Sequence, residues 1–481
     1  MGKAVSQARS PAPEARAARQ WLGLALGVLV LAGVFALAVV IGRMPPFDRF
    51  VTDPLFFKRC LVAHVNLALG AWFYSFVAGL LALLPGRRPM GTPARLSVGL
   101  AVAGIALILL GAWVPAARPL LSNYIPTIDH PVFRLGQALF AVGVLVSFLD
   151  LRLLPGGDAR EAVFPMPDSA RAGLYAAAAA LLLAALTFVV TWLRLTPGLE
   201  PEVQHELLVW GGGHVLQLVC VIAMVTVWLL LLGSALGSSP VGGRTAVLLF
   251  AALLLPWSFS LALALQGPST AAYRVGFTRL MQWGLFPVVS IFLLLCGSAL
   301  TRAWKERRIG RRELTDPRVS AFVASAALTL LGFGLGAAIR GSNTMVPAHY
   351  HASVGGVTVA FMAGTFLLLP VFGFSIRQPA LRRAAAWQPA LYGTGMVLFA
   401  AGFSLAGAYG MGRKIYGAEQ ATRGLAETIG LGMMGIGGLV AVAGGVVFLI
   451  VIGSAWWRGT ERERRLRIEL SGGSRRYRYG A

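Results

Sequence analysis

The stretch VPAHYHASVGG, residues 346–356, sets two histidines, His349 and His351, one residue apart at the mouth of a long apolar run. A helix turns by about 100° per residue, so residues two apart diverge by roughly 200° and face nearly opposite sides. Two imidazoles so placed cannot share one metal ion. If both are ligands, they serve different cofactors.

The setting of that run is a chain of 481 residues, 57% hydrophobic and only 13% charged, with a mean hydropathy of +0.72. Such a composition cannot supply both a soluble core and a polar surface, so it marks an integral membrane protein. About twenty apolar residues cross the roughly 30 Å of bilayer hydrocarbon. Runs of that length fall near 20–42, 59–84, 95–117, 131–153, 170–196, 203–234, 245–266, 277–301, 317–340, 345–372, 388–412 and 428–456. The expected fold is therefore an all-α bundle of twelve transmembrane helices over residues 20–456, between a basic tail at 1–19 and another at 457–481.

An even number of spans puts both termini on one side. Assigning that side to the cytoplasm gathers there the WKERRIGRRELTDPR loop (304–318) and the basic C-terminal tail, as the positive-inside rule requires. The net charge of +23 is then topological, and no nucleic-acid partner is implied. The first span is long for a signal-peptide core and no small-residue cleavage site follows it, so it reads as a retained anchor. Cys60, Cys220 and Cys296 lie in or at the ends of apolar runs, are odd in number and form no C-x-x-C-H, so neither a covalent haem site nor a disulfide framework is encoded.

On this topology all six histidines fall in the halves of spans nearest the outer face: His64, His130, His205, His214, His349 and His351. His130 and His205 stand at span entrances, where polar residues are cheap, and read as packing residues. His64 and His214 sit deeper, where an unpartnered polar ring costs several kcal/mol. No Asp, Glu or Lys falls in a span interior, which argues against a proton pump or an ion-coupled carrier.

NTMVPAHYHASVGGVTVAFMAGTFLLLP (343–370) resembles the tenth span of subunit I in the haem-copper oxidase and nitric oxide reductase superfamily. The resemblance implies that His349 ligates the active-site, high-spin haem and His351 the low-spin haem. AHVNLALGAWFYSFVAGLL (63–81) resembles the second span, which makes His64 the other ligand of the low-spin haem. WGGGHVLQLV (210–219) resembles the sixth span and offers His214 at the distal site, and GAYGMGRKIYG (407–417) resembles the outer end of the eleventh, where Arg413 and Lys414 would meet haem propionates.

The departure is equally specific. The family places a His-His pair at the seventh span, and SFSLALALQGPSTAAYRVGF (258–277) has no histidine; none occurs between His214 and His349. The tyrosine that many oxidases carry four residues past the sixth-span histidine is Leu218 here, and the nearest polar group is Gln217. One imidazole does not hold copper or non-haem iron, which need several ligands of fixed geometry. The resemblance thus implies two non-covalent haems, of b type, without distal copper. It implies an oxidoreductase of the inner (plasma) membrane that binds or reduces O2 or NO, with His214 as the catalytic group on the open side of the His349 haem. The electron donor would be cytochrome c, a quinol or a companion subunit. The alternative is a non-catalytic electron conduit or gas sensor.

Overall fold

A computed structural model describes residues 13–50, 53–84, 92–115, 117–148, 164–310, 315–415 and 423–476. The outer parts of both predicted tails and residues 311–314 of the basic loop lie outside them. Among the described residues eleven helices are long and apolar enough to cross a membrane, and the apolar stretch Arg95–Gly111 is shorter. In chain order we label the helices α1 (Pro13–Ile41), α2 (Pro54–Leu81), α3 (Thr92–Gly111), α4 (Pro131–Phe148), α5 (Asp168–Leu193) and α6 (Pro201–Leu236). These are followed by α7 (Gly243–Leu265), α8 (Ala271–Lys305), α9 (Pro317–Ala337), α10 (Met345–Phe372), α11 (Pro379–Ala408) and α12 (Leu425–Arg476). The first helix begins inside the predicted N-terminal tail and the last runs on through the predicted C-terminal one. Charged residues flanking an apolar run are good helix formers, so composition marks where the membrane ends and not where the helix does.

Several starts are written in the sequence as an acidic residue before proline. Asp53, Glu200 and Asp316 cap α2, α6 and α9, each accepting a backbone N–H two residues on, with Pro54, Pro201 and Pro317 in the first turn. Proline there loses no hydrogen bond and its fixed φ suits a helix. The second helix contains a π turn at Asn66–Ala71, directly after His64. Such turns insert a residue into the ladder and occur often at functional sites.

The helices form two compact units, Met1–Arg308 with Lys414–Arg423, and Ile309–Arg413 with Gly424–Ala481. Within the first, α1 packs on α2, α3 on α4, and α6 on α5 and α8. The α3–α4 seam is built on small residues: a Cβ at Gly104 would come within 2.5 Å of the Phe140 backbone nitrogen, and one at Gly136 within 2.7 Å of the Gly104 carbonyl. In lipid such close backbone approach replaces the hydrophobic drive that water would supply. Within the second unit, α10 packs on α9 and α11, and α11 on α12.

Burial ranks the helices. The apolar core of α6 is 83% buried, that of α10 78% and that of α2 61%, with 50% or less in every other span. These three enclosed helices carry His214, the His349/His351 pair and His64.

Candidate haem-binding site

In the first unit His64 is half-buried on α2, with Nδ1 3.0 Å from the Ala32 carbonyl of α1. A carbonyl only accepts, so Nδ1 carries the proton and donates it. Nε2 is left with a lone pair and has no partner among the described residues. Just beyond, the Asn66 amide donates to the carbonyls of Val62 and Pro126, and its oxygen accepts from Gln137. The π turn is thereby tied to the segment between α3 and α4.

His214 has a different environment. It is 1% exposed on α6, with Nδ1 2.7 Å from the Trp210 carbonyl one turn back and Nε2 2.7 Å from the Tyr124 hydroxyl. Nδ1 must donate, so Nε2 accepts from the phenol. Both ring nitrogens are engaged. Tyr124, Trp210 and Phe277 surround the ring at centroid distances of 4.4, 4.7 and 5.7 Å.

The three glycines before His214 are not open space. A Cβ at Gly213 would lie 2.5 Å from Tyr124 Cβ, one at Gly212 2.6 Å from the Phe188 ring, and one at Gly211 2.6 Å from the Tyr273 hydroxyl. That hydroxyl accepts from Gly211 N at 2.8 Å and donates to the Leu207 carbonyl at 3.0 Å, so it sits within the helix's own hydrogen-bond ladder. Each glycine admits one aromatic ring against the helix.

The segment from residue 117 to 130, carrying the short antiparallel pair β1 (Pro119–Leu120) and β2 (Thr127–Ile128), is fastened to the start of α6 by three successive residues. Asn123 donates from its backbone and side-chain nitrogens to the Glu206 carboxylate, Tyr124 bonds His214, and the Ile125 carbonyl accepts from His205 Nε2 at 2.7 Å. Burial, and then the negative charge of Glu206, hold the Tyr124 hydroxyl well above the ordinary phenol range, so it stays protonated. Lys414 is exposed and donates to the Leu121 carbonyl of the same segment. His130 Nδ1 accepts from Val132 N at the start of α4. His130 and His205 therefore hold local structure, as expected of them.

In the second unit α10 presents its two histidines to different neighbours. His349 Nδ1 lies 2.7 Å from the Gly332 carbonyl of α9, and its ring occupies the place of a side chain at Gly336, where a Cβ would come within 2.8 Å of Nδ1 and Cε1. His349 Nε2 has no partner among the described residues. His351 turns toward α11, with ring centroids 4.6 Å from Phe399 and 5.9 Å from Phe403, and its Nδ1 bonds the Pro347 carbonyl at 2.7 Å. Arg413 follows α11 and is half-buried.

His64, His349 and His351 thus share one feature: Nδ1 donates to a backbone carbonyl, which fixes the tautomer and puts the lone pair on Nε2. The donor set fits haem iron. Around His214 it does not fit a metal ion, since both imidazole nitrogens are hydrogen-bonded and, among the described residues, no group of three or more His, Cys, Asp or Glu is placed to hold one. Tyr124, Trp210 and Gly336 were not singled out as site residues by sequence reasoning. For Tyr124 the available signal was the glycine triplet, which needs large groups from elsewhere to cover it.

No family model matches the chain. It is 31% identical to an uncharacterized protein of Aquifex aeolicus over 74% of this chain and 85% of that protein. It is 25% identical to an uncharacterized protein of Rickettsia prowazekii over 91% and 95% of the two lengths. Cytochrome c oxidase subunit 1 of Thermus thermophilus is 26% identical over 86% and 80%. A solved heme-copper terminal oxidase superposes with a TM-score of 0.71 at 17% identity, covering 93% of this chain and 84% of the oxidase chain. The chain belongs to the family of the Aquifex aeolicus protein, is a multi-pass membrane protein that resembles cytochrome c oxidase subunit 1, and has the haem-copper oxidase fold.

Proposed function

We propose that this subunit I-like chain binds two non-covalent haems, one between His64 and His351 and the second on His349, and passes electrons from the first to O2 or NO at the second. The observation that carries the reading is the shared Nδ1–carbonyl bond of these three histidines, with Nε2 of His64 and His349 unpartnered among the described residues. A partnerless imidazole nitrogen on an enclosed membrane helix is costly, and iron removes that cost. Bound haem supplies a one-electron iron couple and, where an axial position is open, a place for a diatomic ligand.

The residues have distinct parts. His64 and His351 would hold the electron-transfer haem, and His349 would hold the haem that meets the diatomic. Arg413 and Lys414 neutralise propionates. His214 would act on the bound diatomic. Distal copper has no place in this reading, because no histidine lies between His214 and His349 and His214 uses both nitrogens within the protein. The missing acids and lysines of the span interiors speak against proton pumping. Electrons arrive from cytochrome c, a quinol or a companion subunit. The aromatic packing of His214 favours a second reading, an electron conduit or gas sensor that binds the diatomic without reducing it.

The purified protein should contain two haems per chain by pyridine haemochrome, extractable without cleavage of a thioether, with substoichiometric copper and non-haem iron in the same sample. One equivalent of copper would overturn the distal assignment, and absence of haem would overturn the whole. Turnover of O2 or NO with an artificial donor separates the enzyme from the conduit or sensor.

A further inference from the structure

We infer that Arg59 is a buried charge that raises the reduction potential of the haem on His64, by a field exerted within the first unit. This rests on the proposed function only for His64 as a haem ligand. Arg59, its partners and His64 all belong to that one unit.

Arg59 is 5% exposed on α2 and stands before His64 by five residues, about 7.5 Å along the helix axis. Its Nη1 donates to the carbonyls of Ala112 and Val114, each at 2.8 Å, and its Nη2 to that of Ala117 at 2.7 Å. These carbonyls follow the last turn of α3, and a cation suits a helix C-terminus. That end offers only roughly half a charge, and among the described residues no carboxylate pairs with Arg59. Its Nε is buried and has no partner among them. Arginine keeps its charge in proteins, so a net positive charge stays in the interior. The surroundings are apolar: Val62, Ala63, Ile108, Ala112, Ala117 and Phe133 form one buried cluster. A charge in such a medium is screened far less than in water. Asp53 and Lys58, the other charged residues at this end of α2, are exposed and half-buried, where solvent screens them. A field needs no contact and acts by its sign. One electron from the donor lowers the charge at the iron by one, no bond forms or breaks, and a fixed cation favours that reduced state. Closing the end of α3 takes hydrogen bonds alone; the charge of Arg59 acts beyond them.

The test is an anaerobic spectroelectrochemical titration of the full chain in nanodiscs, following the absorbance component that His64→Ala abolishes. At the wild-type midpoint potential, Arg59→Met should lower the ratio of reduced to oxidised haem by about tenfold, the scale of one buried charge at this range. Arg59→Lys keeps the charge without the planar fork and should stay near the wild type. With Arg59 intact, Val114→Asp sets a carboxylate on a residue whose carbonyl Arg59 holds, and should lower the ratio too, whereas Val114→Asn should not. Equal falls in Arg59→Met and Arg59→Lys would assign the effect to the hydrogen bonds and overturn the inference, as would an unchanged titration in Val114→Asp. Where Arg59→Met fails to retain haem, the two Val114 variants decide. If His64→Ala abolishes no component, the functional reading has failed. If it abolishes one and no variant shifts its titration, the inference alone has failed.

Discussion

At the scale of single residues, the divergence of His349 and His351 was legible because helix geometry alone dictates it. The structure sends the first to α9 and the second to the Phe399 side of α11. What receives them was not legible, since the seat of His349 is an absence, the missing side chain of Gly336. This yields a test that leaves every histidine in place. Gly336→Ala puts a Cβ about where the His349 ring lies, and overpacking of that kind costs roughly 1–3 kcal/mol. The ring must tilt off the Gly332 carbonyl, so the variant should lose the five-coordinate haem while keeping the low-spin one. Gly334→Ala, two residues away with nothing within 4 Å of its Cβ position, should keep both. Optical spectra of the two variants decide it, and equal loss in both would show that Gly336 is no special seat. Tyr124 was hidden for another reason: it lies 90 residues from His214, and no spacing rule joins a loop phenol to a distant imidazole.

At the scale of elements, the apolar runs located the helices but not all of their ends: α1 and α11 begin well before the predicted spans, and α12 runs far beyond residue 456 to Arg476. The π turn after His64 left no trace in hydropathy, because one inserted residue does not change a window average. The cap of α9 carries a pH signature. Burial works against the Asp316 charge, but hydrogen bonds from Arg318 and its positive charge outweigh it, so the carboxyl is held below its ordinary value. A lowered folded value means that the stabilisation is present above the unfolded carboxylate pKa of about 3.9 and is lost as the pH falls through the folded value. Asp316→Ala should loosen the first turn of α9 by about 1 kcal/mol at neutral pH. Hydrogen exchange of the amides at 318–320 should show that difference, and it should close in acid; a difference independent of pH would assign the effect to something other than the charge.

At the scale of the whole molecule, composition alone made this a membrane protein, and segments in the order of the second, sixth, tenth and eleventh spans pointed to the haem-copper oxidase fold that the superposition bears out. Hydropathy could not rank the helices by enclosure, since lipid and protein interior are equally apolar. Only the structure distinguishes α2, α6 and α10, and these hold His64, His214, His349 and His351. The central claim is that one helix, α10, serves two haems through two adjacent-but-one histidines. The most direct test is the set of reduced-minus-oxidised spectra of His64→Ala, His351→Ala and His349→Ala. The first two should each abolish the same low-spin component and the third should remove only the five-coordinate haem; His349 and His64 behaving as the pair would contradict the account.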